Sequence, residues 1–136
     1  MKLVLGIAVG LAVALLAGWI WGASGQADMS SALQASELQG ELLGARAAVL
    51  DARVAIFSVN FGEASGHLEN ARGLLRRAVE RLTSAGRDAE VKQVQAALTS
   101  IEDAQRMANK LDQGANTRAG EAARIVADVL DAESKR

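Results

Sequence analysis

Residues 38–57 read LQGELLGARAAVLDARVAIF, and their spacing decides the fold. Leu38, Leu42, Ala45, Val49, Ala52 and Ile56 step by four and three residues in alternation. That is the apolar period of a helix packed lengthwise on other helices. Leu43, Leu50, Val54 and Phe57 widen the stripe, as expected of a helix that faces more than one neighbour in a bundle. Three further stripes follow. The second is Phe61, Ala64, Leu68, Ala71, Leu75, Val79 and Leu82. The third is Val91, Val94, Leu98, Ile101, Ala104, Ala108 and Leu111. The fourth, Ala115, Ala119, Ala122, Val126 and Val129, is thinner and richer in Ala. The 136 residues contain no Pro and only 3% aromatics, a composition that favours long helices over sheet. The fold class read from this is all-α.

The breaks between stripes decide the architecture. Ser84-Ala85-Gly86-Arg87-Asp88 is the best turn, with Gly86 suited to a left-handed position after a helix and Asp88 to a cap. Asn60-Phe61-Gly62 is a second candidate, and Gly114-Ala115-Asn116-Thr117, with Asn116 or Thr117 as cap, is a third. With all three turns the chain forms an antiparallel four-helix bundle, with helices near 30–59, 62–84, 88–112 and 117–133. With the first alone it forms a long two-helix antiparallel coiled-coil hairpin. The similar helix lengths favour the bundle. Phe61, Ala64, Leu68 and Ala71 fall at offsets of 3, 7 and 10, which resembles the turn and second helix of a tetratricopeptide hairpin. Asp51 stands where that pattern has Leu, and the resemblance implies no more than a turn at 60–62.

Upstream of the bundle, Leu3 to Trp21 is a run of 19 residues without a charge. At ~1.5 Å per residue it extends roughly 28 Å, close to the hydrocarbon thickness of a bilayer. Residues 1–22 are therefore expected to be a transmembrane signal-anchor helix. Residues 23–31 form a short linker or helix continuation, with Ser30 or Ser31 as a possible helix cap, and 32–136 form the bundle domain. Gly6, Gly10, Ala14, Gly18 and Gly22 repeat every four residues, a small-residue ladder that lets membrane helices pack closely. Trp19 and Trp21 mark the outer interface. Lys2 precedes the run, and no Lys or Arg follows until Arg46. The positive-inside rule then leaves the N-terminus in the cytoplasm and the C-terminal domain outside, in the periplasm or its equivalent. The competing reading is a cleaved signal peptide, with cuts near Ala23-Ser24-Gly25 or Gly25-Gln26-Ala27.

The chemistry-bearing residues are sparse. Cys is absent, which excludes disulfides and thiolate metal sites. His67, the single histidine, has Glu63 one turn before it, a pair short of a metal site. Haem ligation by His67 with Met107 or Met29 lacks an attachment motif. Glu102-Asp103, and Asp128 with Asp131, alternate with basic residues as solvated faces do. No phosphate loop, dinucleotide fingerprint or nucleophile elbow occurs. The expectation is a protein that is not an enzyme and has no cofactor. The net charge of −1 gives no pull toward nucleic acid.

One basic cluster stands out. Arg76, Arg77, Arg81 and Arg87 follow in close succession, and in a bundle hung from a membrane they would reach anionic headgroups. The function expected is that of a single-pass, membrane-anchored tether, scaffold or adaptor. It would act through self-association or through another membrane or periplasmic protein, with leftover apolar residues such as Leu43, Leu74 and Ile125 as a docking surface. The alternative is a secreted or periplasmic helical binding module released by signal cleavage.

Overall fold

The structure is a computed structural model. It describes residues 29–135 in full and, before them, only the helical backbone from Lys2. Four helices make up the chain: α1 (Lys2–Phe57), α2 (Phe61–Ser84), α3 (Asp88–Ala108) and α4 (Ala115–Glu133). No strand occurs among the described residues. The chain divides into two compact units, Met1–Ser36 and Glu37–Arg136. In the first, the described residues 29–36 are all exposed. Among the described residues no helix is long and apolar enough to cross a membrane. The span expected at 1–22 lies outside them.

The second unit is the antiparallel bundle, and the long-hairpin alternative is excluded by its two extra turns. Side chains give the direction of each helix. Arg81, late in α2, donates to Glu37 and Glu41 early in the unit, so α2 runs back along α1. Gln105, late in α3, reaches Glu69 of α2, and Arg87 at the head of α3 meets Glu133 at the end of α4. Arg53 of α1 donates to Asn116 at the start of α4 at 2.7 Å, which closes the ring of four.

The interior alternates small and large side chains. Ala64, Leu68, Ala71, Leu75, Ala78 and Leu82 of α2 are all buried, and α3 contributes Val94, Ala97, Ile101, Ala104 and Ala108. Alanine at every second contact brings helix axes close, and Leu or Val fills the space between. Gly44 sharpens this: a Cβ there would lie 3.3 Å from Leu74 Cδ1, so α2 approaches α1 where the side chain is missing. Each buried Leu contributes roughly 1.5–3 kcal/mol. A second apolar cluster, Ala55, Ile56, Phe61, Ala64, Ala108 and Ala115, closes the end of the bundle where the α1–α2 turn meets the α3–α4 loop.

Three helices end in the same way. Asn60 N–H donates to Ala55 O and Val59 N–H to Ile56 O after α1; Arg87 to Leu82 and Gly86 to Thr83 after α2; Asp112 to Met107 and Leu111 to Ala108 after α3. Each is a Schellman motif, whose pivot takes the left-handed conformation. Gly86 (φ 68°) is the pivot expected from the sequence, whereas Val59 (φ 61°) and Leu111 (φ 57°) are pivots without glycine. This is why α3 stops at Ala108, short of the expected 112, and why Leu111, expected in the core, is exposed.

Several caps also differ from expectation. Asn60 caps α2, accepting from Glu63 N–H, and Gly62 lies inside the helix rather than in the turn. Arg87, not Asp88, is the residue before α3, and Asp88 sits in its first turn. Gly114, not Asn116 or Thr117, precedes α4, and the Asn116 side chain is spent on Arg53. Ser30 and Ser31 lie within α1 and start no helix.

Candidate functional site

The two buried carboxylates, Glu41 and Glu90, lie at the end of the bundle that holds Glu37 and Glu133. Glu41, buried on α1, accepts from Arg81 Nε at 3.1 Å and lies 3.4 Å from Arg77 Nε. Arg81 also reaches Glu37 at 2.6 Å. The hydrogen bond that Arg81 donates to Glu41 raises the Arg81 pKa, as do the charges of Glu41 and Glu37. On the other side of this end, Arg87 lies between Glu90, which is buried, and Glu133. The Glu133 hydrogen bond raises the Arg87 pKa against the opposing effect of burial. These two clusters tie α1 to α2 and α3 to α4. Of the four arginines singled out in the sequence, Arg77, Arg81 and Arg87 are thus paired with protein carboxylates. Arg77 is half-exposed beside Glu41, and Arg76 is exposed.

The other candidate groups are spread over the surface. His67 Nε2 lies 3.7 Å from Glu63 Oε1, an ion pair only when the imidazole is protonated. Among the described residues no three His, Asp or Glu side chains gather as a metal site would require. Asp103 pairs with Arg106, and Asp128 with Arg124, each within one helical turn. Met107 packs against the apolar cluster at the bundle end. Gly6, Gly10, Ala14, Gly18, Gly22, Trp19 and Trp21 lie outside the described residues.

The apolar positions separate more sharply. Leu74 and Ile125, expected as docking residues, pack against the core instead. Leu43, Leu50, Val54 and Phe57, expected to widen the inner stripe, remain 49%, 39%, 66% and 80% exposed. They belong to a row of their own. Gly40, Leu43, Ala47, Leu50, Val54 and Phe57 step by three and four residues, and all six are exposed. This row is offset from the core row by two residues and one in alternation, about 150° around a helix of 3.6 residues per turn, and its exposure shows that it faces away from the bundle. Helix α1 therefore carries two apolar stripes on opposite sides. The bundle covers one of them. The signal for this was the offset of one and two residues in alternation between the rows, which merges into a single broad stripe when apolar residues are counted without phase.

No protein-family model matches the chain, and no curated protein or solved structure matches it either.

Proposed function

We propose that this chain is a single-pass, membrane-anchored helical-bundle protein that tethers or scaffolds through protein–protein contact, self-association included. The observation that carries this reading is the uncovered row on α1. A helix that offers a second apolar stripe away from its own core has a surface suited to another helix. The anchor rests on the uncharged run at 3–21 and on the absence of Lys and Arg from there to Arg46. In this reading the bundle lies outside the cytoplasm. Arg76, and Arg77 with its side chain half-exposed beside Glu41, are the arginines that can meet anionic headgroups, at up to ~1 kcal/mol each close to the surface.

Fractionation with N-terminal sequencing tests the anchor. The expected result is a chain that stays with membranes through alkaline extraction and begins at Met1-Lys2. A soluble chain beginning near Gln26 or Asp28 would contradict it and favour the released binding module. Flotation tests the arginines: Arg76→Gln/Arg77→Gln should reduce binding to anionic vesicles and leave binding to neutral ones unchanged. Equal binding of the native chain to both vesicle types would remove the lipid contact from the account.

A further inference from the structure

We infer that the outer row of α1 is the seam of a parallel, in-register homodimer, held in register by an ion pair between Arg46 of one copy and Asp51 of the other. This deepens the self-association side of the proposed function and rests on that reading.

The row itself has the form of a coiled-coil seam. Taking Leu43, Leu50 and Phe57 as one core position and Gly40, Ala47 and Val54 as the other, the apolar residues repeat every seven. Met29, Leu33 and Ser36 continue the same spacing upstream in the sequence. The alternation of large and small is what two identical helices need to approach closely along their length. In area, Leu43, Leu50, Val54 and Phe57 from two copies expose on the order of 1,000 Å², and flanking residues bring this toward the ~1,200–2,000 Å² of a stable interface.

The flanking charges choose the occupant and its direction. Four charged residues border the row between 37 and 57: Glu37 and Asp51 on the α2 side, Arg46 and Arg53 on the α4 side. Glu37 is held by Arg81, and Arg53 by Asn116. Arg46 and Asp51 take part in none of the bundle's ion pairs and are exposed. They are opposite in sign and five residues apart. In a parallel in-register pair of helices, a residue preceding one core position faces the partner residue five positions further on. Arg46 then meets the partner's Asp51, and the two-fold axis repeats the contact. The antiparallel arrangement that overlaps the row with itself brings Arg46 beside the partner's Arg53, a like-charge contact. The complement of this surface is thus the surface itself, which points to a second copy rather than to an unrelated helix.

The absence of cysteine makes the test direct. Ala47→Cys, Leu50→Cys and Val54→Cys are introduced singly into the full chain, with Thr99→Cys on exposed α3 as control. The chain is oxidised in its native fraction and in mild detergent. All three row variants should form disulfide-linked dimers well above the Thr99→Cys background. Arg46→Asp alone, or Asp51→Arg alone, should weaken the dimer about tenfold, since two attractive contacts become repulsive. The double variant R46D/D51R should restore it. The row sites are exposed, and a helical circular-dichroism spectrum for each variant confirms that folding is retained. Three results would overturn the inference: no row variant crosslinking above the control, a crosslink formed only on mixing the A47C and L50C chains, or charge reversals without effect. The fraction in which the chain is found decides the anchor separately, because the crosslinking pattern is readable in either fraction.

Discussion

Val59 is the position where a single substitution should make the bundle more stable. It is the pivot of the Schellman motif after α1, at φ 61°, and its side chain is exposed. The left-handed conformation crowds Cβ against the following carbonyl, at roughly 1–2 kcal/mol for an L-residue, and a β-branched side chain is among the least suited to it. Val59→Gly removes that strain. It also gives the unfolded chain more freedom, which returns roughly 0.5–1 kcal/mol. Little burial is lost, so the net gain should be about 0.5–1 kcal/mol. At ~4–8 °C per kcal/mol for a domain of this size, the melting temperature should rise by about 2–8 °C. The assay is thermal melting of the full chain followed by circular dichroism, at one protein concentration because dimerisation contributes to apparent stability. Val59→Ala is the control: it keeps Cβ and relieves only the β-branching, and should gain less than Val59→Gly. A Val59→Gly protein that melts below the native chain, or no higher than Val59→Ala, would refute the reasoning.

Other substitutions read different parts of the account. Gly66 lies inside α2 with nothing within 4 Å of where a Cβ would sit, so Gly66→Ala should stabilise by about 0.5–1 kcal/mol in urea denaturation. Leu75 is fully buried, and Leu75→Ala should cost about 2–5 kcal/mol by the same measurement. Glu133→Gln removes one of the two carboxylates that hold the largely buried Arg87, and should cost about 1–2 kcal/mol. The hydrogen bond from Arg72 holds the Glu69 carboxyl below its ordinary pKa, with a further lowering from the Gln105 hydrogen bond. A carboxylate lowered on folding stabilises above its unfolded pKa and loses that contribution as pH falls through the folded value. The stability difference between the native chain and Glu69→Gln should therefore be small but measurable near neutrality, and shrink progressively as pH falls below the ordinary Glu value of about 4.3.

The helices were legible because each stripe keeps its period over several turns, as with Leu68, Leu75 and Leu82 on one face of α2. The α2–α3 turn was legible because Gly86 occupies its left-handed pivot. The other two turns carry the same backbone geometry with Val59 and Leu111 at the pivot, residues that give no such signal. That concealed the end of α3 and placed Leu111 in the core. The arginine cluster was visible, but its partners were not: Glu37 lies 44 residues from Arg81, and Glu133 lies 46 from Arg87. Only antiparallel packing brings them together. The outer row of α1 was visible residue by residue and was read as part of the inner face. Two heptad rows offset by one and two residues in alternation look like one wide stripe until burial separates Leu42 and Val49 from Leu43 and Leu50.

The proposed function places the chain's contact with its partner on the uncovered side of α1. Sedimentation equilibrium of the full chain in density-matched detergent tests it most directly, comparing the native protein with Leu50→Glu/Val54→Glu. The account predicts the mass of two chains for the native protein and of one chain for the variant, with helical content equal in both. A native protein with the mass of a single chain, or a variant that remains a dimer, would contradict it.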